Sequence, residues 1–561
     1  MSRTFKIYCK NISEYIEIEG GETLAEILNR YSDRIDINPI CARVNNRTES
    51  LSFAVFMPKQ VEFIDASNAS GNRVYIRSLC MILYKAVTDI IPDVRLRIEH
   101  SISKGIYCRL FKSEEKNPML IDAEVVASIN QRMREIISAD LAFVRNEKLT
   151  TDVIEIFRQQ GLMDKVRLLE TSHELYTTFY TLDGLADSYY GALAPSTSYI
   201  SVFNLLLFKE GLLLLGPDKS DLLIPSTPIR QEKMFDAFTN YLKFNEVIHV
   251  SNVGELNKAV NENHASMLIN IAEAMHDKLI GRISDEISRR RANGDARIVL
   301  IAGPSSSGKT TSTKRLAVQL STNLIVPKMI SLDDYFINRE NTPRDETGDY
   351  DYESLYALDL ELLNSDLKKL LRGEQINLPT YSFELGRRIE KERPLKLEEN
   401  EVLLIEGIHG LNPELTQYIP ENEKFKLYVS ALTTLSIDDH NWIPTTDNRL
   451  LRRIVRDFKY RNTSALDTIR RWPSVRRGEE KWIFPFQENA DAMFNSSLIF
   501  ELGVMKEYAL PVLKQVPHDV PEYAEAYRLI RFLNYFESIP AEQVPSTSLL
   551  REFLGGSLFK Y

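Results

Sequence analysis

Ile298-Val-Leu-Ile-Ala-Gly303-Pro304-Ser305-Ser306-Ser307-Gly308-Lys309-Thr310-Thr311 contains, at 303–310, a full match to GxxxxGK(S/T). The apolar run Ile298–Ile301 leads into it as a buried strand would, and a helix-compatible run, Thr311–Leu320, leads out. A loop in that position turns its backbone N–H groups toward phosphate at a helix N-terminus, where the helix dipole favours negative charge. Gly303 and Gly308 permit turns and close approaches that a Cβ would block. Lys309 would place a point charge between the β- and γ-phosphates, and the Thr310 hydroxyl would ligate Mg²⁺. Pro304, Ser305, Ser306, Ser307 and Thr311 complete the expected ATP-binding set.

Around this stretch, residues 296–510 alternate apolar runs with helical patterns, the signature of an α/β unit with a parallel sheet. The expected strands are Arg297–Ala302, Lys328–Leu332, Val402–Ile405, Lys426–Val429 and Leu498–Glu501. Two strand ends carry acids. Ser331-Leu-Asp333-Asp334 follows the second strand, where a carboxylate can accept a hydroxyl proton and aim the oxygen at a γ-phosphate. Val402-Leu-Leu-Ile-Glu406-Gly407 ends in an acid placed to hold Mg²⁺, so Thr310, Asp333 and Glu406 form the expected metal set. Downstream, Arg449, Arg452, Arg453, Arg456, Lys459 and Arg461 fall within thirteen residues, and 449, 452, 453 and 456 share one helix face. Arginines on a mobile segment can close over a nucleotide and neutralise charge on the transferred group.

The rest of the chain bounds the setting. At roughly 100–200 residues per domain, 561 residues predict three or four domains. A net charge of −10 argues against coating nucleic acid by bulk charge. The four cysteines (Cys9, Cys41, Cys80, Cys108) include no CxxC pair and read as reduced thiols of a cytoplasmic protein. MSRTFKIYCK lacks the apolar core of a signal peptide, and no membrane segment is expected. Leu205–Gly216 is interrupted by Lys209 and Glu210 and reads as a buried hairpin. Phe5–Cys9, Tyr15–Ile18 and Val61–Ile64 read as strands, and Thr23-Leu-Ala-Glu26 has capping-box spacing. Helices are expected at Arg77–Ile90, Gln131–Ile137, Thr151–Gln159 and Ala265–Arg291.

The motifs from Arg297 to Leu502 resemble, in order, those of the uridine kinase/phosphoribulokinase family of P-loop kinases. GPSSSGKT stands for its phosphate loop, and SLDDYF resembles the motif with its catalytic aspartate, which implies Asp333 as catalytic together with Lys309. Tyr350-Asp351-Tyr352-Glu353 resembles the segment whose aspartate binds ribose hydroxyls, implying Asp351. Leu378-Pro379-Thr380-Tyr381-Ser382-Phe383 resembles the segment whose tyrosine contacts the base, implying Tyr381. Ile405-Glu406-Gly407-Ile408-His409 resembles the acidic strand end. Residues 447–457 resemble the start of the arginine-bearing lid, implying Arg449 and Arg452 at the substrate and Arg456 and Arg461 in the lid. Where uridine–cytidine kinases place a base-reading histidine, spacing puts Gly386 here, followed by Arg387 and Arg388.

The front of the chain bears other resemblances. Residues 1–62 are similar to a TGS domain, and 63–225 to the editing domain of threonyl-tRNA synthetase. The editing site's two helix histidines are replaced by Arg77 and Met81, and its later Cys and His by Tyr189 and Leu193, so no deacylase activity is expected. The implied order is 1–62, 63–225, a helical connector 226–292, the P-loop kinase unit 293–510 and a helical tail 511–561. The expected activity is transfer of the ATP γ-phosphate to the 5′-hydroxyl of a nucleoside, with ATP and Mg²⁺, in a cytoplasmic homo-oligomer. The alternatives are a kinase of another small alcohol, and an RNA- or tRNA-binding regulator, or one holding a regulatory ligand in its front half, with an ATPase switch.

Overall fold

In a computed structural model, which describes residues 4–560 except 113, 114, 116 and 347, Ile298–Ala302 is the central strand of a five-stranded parallel sheet. The strands are Ile298–Ala302 (β1), Val326–Ser331 (β2), Glu401–Glu406 (β3), Lys424–Ser430 (β4) and Ala492–Asn495 (β5), in the order β2-β3-β1-β4-β5. All five residues of β1 are buried, as a strand covered on both faces requires. Ile301 lies beside Glu406 and Ser331 beside Glu406, so three strand ends open onto one edge of the sheet. In open α/β sheets that edge is where ligands bind. Helix α1 (Lys309–Thr322) follows β1; the basic stretch forms α2 (Thr445–Arg461), and α3 (Ala465–Trp482) follows it. Asn462 ends α2 in the left-handed region at φ +49°, and the Ser464 hydroxyl caps α3 by accepting from the Asp467 N–H.

The strand expected at Leu498–Glu501 is absent. The fifth strand is Ala492–Asn495, and Glu501 opens a helix to Leu513. Leu498, Phe500 and Leu502 are buried in a turn and first helical turn, and a short apolar run does not by itself distinguish that from a strand. The helical segments 253–287 and 502–554 contribute buried residues to the same hydrophobic core as β1, β3 and β4.

In the front half, residues 4–64 build a five-stranded sheet with one helix, Leu24–Arg30, whose capping box between Thr23 and Glu26 is formed as expected. Residues 69–215 set the helices Ala69–Ile90 and Ala123–Ser138 with a four-stranded antiparallel sheet, which includes the hairpin Asn204–Phe208/Gly211–Leu215. The first helix starts at Ala69, not Arg77, because Asn68 caps it and Gly71 passes so close to Asp65 that a Cβ would lie 1.9 Å from its carbonyl oxygen. All four cysteines are buried and free. Among the described residues no helix is long and apolar enough to cross a membrane.

Candidate active site

The loop after β1 is shaped by its glycines. A Cβ on Gly303 would lie 1.9 Å from the Val429 carbonyl oxygen, and Gly308 adopts φ +82°. The Lys309 ammonium folds back onto the carbonyls of Gly303 (2.9 Å) and Pro304 (3.1 Å). Burial pushes its pKa down, while Glu406, Asp333, Glu552 and Glu353 push it back up. The Ser306 and Ser307 hydroxyls are buried without a hydrogen-bond partner. Orphaned hydroxyls and a cation at a helix N-terminus are what an anion site offers before its anion arrives.

The carboxylates line up beside it. The Thr310 hydroxyl donates to both Glu406 oxygens, at 3.1 and 3.0 Å. Burial, aided by Asp333 and Glu552, pushes the Glu406 carboxyl up to about 7 against Lys309. A hydroxyl and a carboxylate side by side are oxygen ligands of the kind Mg²⁺ takes, with other positions left to phosphate and water. Asp333 stands in the turn after β2, its N–H donating to the Ser331 hydroxyl at 3.3 Å. Its side chain is open to the cleft, yet crowding by protein and the neighbouring Asp334 raise its pKa, against Lys309, Arg461 and Arg456.

Asp351 and Tyr381, the residues expected to meet the acceptor, lie in the chain between β2 and β3. Asp351 accepts from the Glu353 N–H at 3.1 Å. Tyr381 packs in an aromatic group with Phe336 and Phe383, ring centroids 5.5 and 5.1 Å away, and the Phe383 ring is exposed. Gly386 adopts φ +66°, and a Cβ there would come within 2.7 Å of Arg339. Arg388 is spent on structure, bridging Asp359 at 3.0 Å and the Tyr335 carbonyl at 3.1 Å, while Arg387 is exposed.

The arginines divide into two groups. Arg449 and Arg452 are fully buried; they pair with Glu479 and Glu501 and donate to the carbonyls of Ser305 (3.0 Å) and Ser306 (3.5 Å). Arg449 and Arg452 thus brace the loop from behind, where the resemblance implied substrate contact. Arg453 donates to the Ser305 hydroxyl at 2.7 Å. Arg456 and Arg461 share Asp457 and lie within the field of Asp333. Of the three tryptophans, Trp472 is buried under the Arg449 guanidinium, 5.4 Å from its ring centre.

Three acids at this site escape the sequence reading: Glu353, Glu479 and Glu552. No spacing rule marks them, because each arrives from a different segment. Burial and Glu479 push the Glu353 carboxyl up to about 7, against Arg453 and Lys309. Ionisation above that pH adds a negative charge beside the loop. Glu406 ionises over the same range and would favour bound Mg²⁺, so the expected result is comparative: between pH 7 and 8 a pH profile of KM for ATP should rise more in the unaltered protein than in Glu353→Gln.

The four front-half positions compared above with an editing site are filled. Arg77 lies over the Tyr190 ring at 4.8 Å and against Gly191, where a Cβ would meet its guanidinium at 2.1 Å. Met81, Tyr189 and Leu193 are buried. Beside them, Lys165 is salt-bridged at 2.9 Å to both Asp187 and Asp438, and His440 Nδ1 lies 2.9 Å from Asp187. Asp438 and His440 belong to the hairpin Ser436–Trp442 that leads into α2.

A strand–loop–helix anion cradle, with a hydroxyl–carboxylate pair beside it and an exposed acid after the neighbouring strand, is the arrangement that P-loop phosphotransferases use. Residues 298–499 match the model of the Phosphoribulokinase / Uridine kinase family. The chain is similar to the uridine kinase of Bacillus pumilus (strain SAFR-032), 31% identical over 195 residues that cover 35% of this chain and 83% of that protein. The uridine kinase of Macrococcus caseolyticus (strain JCSC5402) is 30% identical over 195 residues, covering 35% and 85%. That of Staphylococcus aureus (strain JH9) is 28% identical over 195 residues, covering 35% and 84%. The chain belongs to the Phosphoribulokinase / Uridine kinase family, and it is a phosphotransferase with an alcohol group as acceptor.

Proposed function

We propose that the unit at 293–510 transfers the γ-phosphate of ATP to the 5′-hydroxyl of a nucleoside. The observation that carries this reading is the meeting, at one sheet edge, of Lys309, the Thr310–Glu406 pair and Asp333; Asp351 and Tyr381, from the chain between β2 and β3, would complete the acceptor side. Asp333 would take the acceptor proton and hold the oxygen in line with the γ-phosphate. Lys309, with Gly303–Gly308 and Thr311, would cradle the phosphates, and Arg456 and Arg461 would carry charge on the transferred group. Thr310 and Glu406, helped by Asp333, would hold Mg²⁺, which supplies charge neutralisation across the β- and γ-phosphates. Asp351 would bind the ribose hydroxyls and Tyr381 the base. With Arg449 and Arg452 behind the loop, their part would be to fix its shape.

The front half is read as a TGS-like unit at 1–62 (of which 1–3 lie outside the described residues) and an inactive editing-like unit at 63–225. The connector 226–292 and tail 511–561 would pack around the kinase sheet.

The test is ATP- and Mg²⁺-dependent phosphorylation of a panel of ribonucleosides, deoxyribonucleosides and sugar phosphates. Turnover of one ribonucleoside above all sugar phosphates is expected; turnover of sugar phosphates alone would overturn the nucleoside reading. A carboxylate hydrogen bond to a ribose hydroxyl is worth about 1.5–3 kcal/mol. Asp351→Ala should therefore lower the kcat/KM preference for ribo- over 2′-deoxyribonucleosides by about 10–100-fold.

A further inference from the structure

Two carboxylates sit on the phosphate loop, and neither comes from the sheet edge that builds it. Glu479 of α3 accepts from the Ser305 N–H at 3.0 Å. It is held there by Arg449 and Arg476. Glu552 lies at the other end of the loop. It accepts from the Thr311 N–H at 3.2 Å and from the Thr311 hydroxyl at 2.6 Å. The N–H groups of this first turn of α1 are donors to nucleotide phosphate in a loop of this type. A carboxylate in that place is a covalently tethered substitute for the anion.

The segment around Glu552 is built to hold it. Ser548, Leu549, Leu550, Phe553 and Leu554 are buried, and Leu549 lies against the loop itself: a Cβ on Gly308 would come within 2.6 Å of its Cδ2. Phe553 packs beneath the Arg452 guanidinium, 5.1 Å from its ring centre. Arg551 donates to the carbonyls of Ala541 (2.8 Å) and Val544 (2.6 Å), bracing the turn. Lys459, near the end of α2, donates to the Leu554 carbonyl. One short segment thus touches the phosphate loop, the middle of α2 and its far end. The charge of Glu552 is felt across the site, since it raises the pKa of both Lys309 and Glu406.

A polyanion and the Glu552 carboxylate cannot share the Thr311 donors, because each would desolvate and repel the other. We propose that the segment 545–560 is an intramolecular competitor of the nucleotide: Glu552 occupies a phosphate position on the loop, and nucleotide binds fully only as the segment withdraws. Withdrawal also breaks the Leu554–Lys459 tie and so loosens α2, linking nucleotide occupancy to release of the arginine-bearing helix. This inference rests on reading 303–311 as the ATP site.

The experiment measures ATP affinity of the full chain by calorimetry, for the unaltered protein, Glu552→Gln and Lys309→Ala, with hydrogen exchange over 545–560 with and without Mg-ATP. Glutamine keeps the size of the side chain and its contact with Thr311 but removes the charge. Glu552→Gln is expected to bind ATP about 3–10-fold more tightly, the scale of one partly screened charge pair. The unaltered protein should lose exchange protection over 545–560 when Mg-ATP is added. Equal or weaker ATP binding by Glu552→Gln, or protection over 545–560 that holds or grows with ATP, overturns the proposal while Lys309-dependent ATP binding leaves the site reading intact. ATP binding that is absent from both the unaltered protein and Glu552→Gln, or that Lys309→Ala leaves unchanged, overturns both.

Discussion

Asp333→Asn is expected to lower kcat by about 10²–10⁴-fold, the range for loss of a positioned general base, while the affinity for ATP stays within an order of magnitude. Asparagine matches the shape of aspartate, and the backbone bond from residue 333 to the Ser331 hydroxyl does not depend on the side chain. What it cannot do is accept a proton. The surroundings of Asp333 suit that task. Crowding and Asp334 raise its pKa above the ordinary carboxylate value, against Lys309, Arg461 and Arg456. Removing the acid should therefore slow the chemical step and spare the phosphate cradle, which stands on other residues. Single-turnover rates separate the two. A chemical step within about 3-fold of the unaltered enzyme would take the base role away from Asp333.

The second large effect lies far from the phosphate loop. Lys165→Met is expected to destabilise the folded chain by about 3–5 kcal/mol, the cost of breaking a buried ion pair from one side. Lys165 is 1% exposed and answers two acids, Asp187 and Asp438, each equally buried. It also donates to the Ser188 carbonyl at 3.3 Å. Burial alone would push the Asp187 carboxyl up; Lys165 and His440 outweigh it and hold the group well below the usual carboxylate range. A group so depressed adds stability above its unfolded pKa, and that stability is lost only as pH falls through the folded value. Without Lys165, two carboxylates remain in the interior with neutral or weakly basic partners: His440 and the Ser188 N–H for Asp187, the His440 N–H and Asn441 for Asp438. The acids come from opposite halves of the chain, so the loss should appear as a drop of several degrees in the thermal midpoint near pH 7.5. It should shrink at lower pH as one acid takes up a proton. A midpoint within 1 °C of the unaltered protein (about the noise of such a measurement) would mean that the cluster is water-filled and contributes little.

The phosphate loop was legible because its glycines and Lys309 follow a spacing dictated by backbone geometry, and because continuous apolar runs mark parallel strands buried on both faces. Glu406 and Asp333 were legible for the same reason: they stand at the ends of those strands. What stayed hidden depends on contacts across long separations. The hairpin Val94–Ile102/Gly105–Lys112 does not read as strands, since Arg97, Glu99 and Arg109 lie inside it and satisfy one another. Its turn is made by Ser103 and Lys104 at φ +51° and +62°, without the glycine that usually signals one. The buried positions of Arg449 and Arg452 were equally unreadable, because a charged helix face looks solvated until Glu479 and Glu501 are seen to meet it. Glu552 reaches the loop from more than 240 residues away, and nothing in its own neighbourhood announces that role.

The fate of the γ-phosphate decides between a kinase and an ATPase. Phosphorus NMR of the full chain with ATP, Mg²⁺ and a ribonucleoside should show ADP and a nucleoside 5′-monophosphate appearing in equal amounts, with both lost in Asp333→Asn. ADP accompanied by inorganic phosphate at the same rate with and without any acceptor would contradict it.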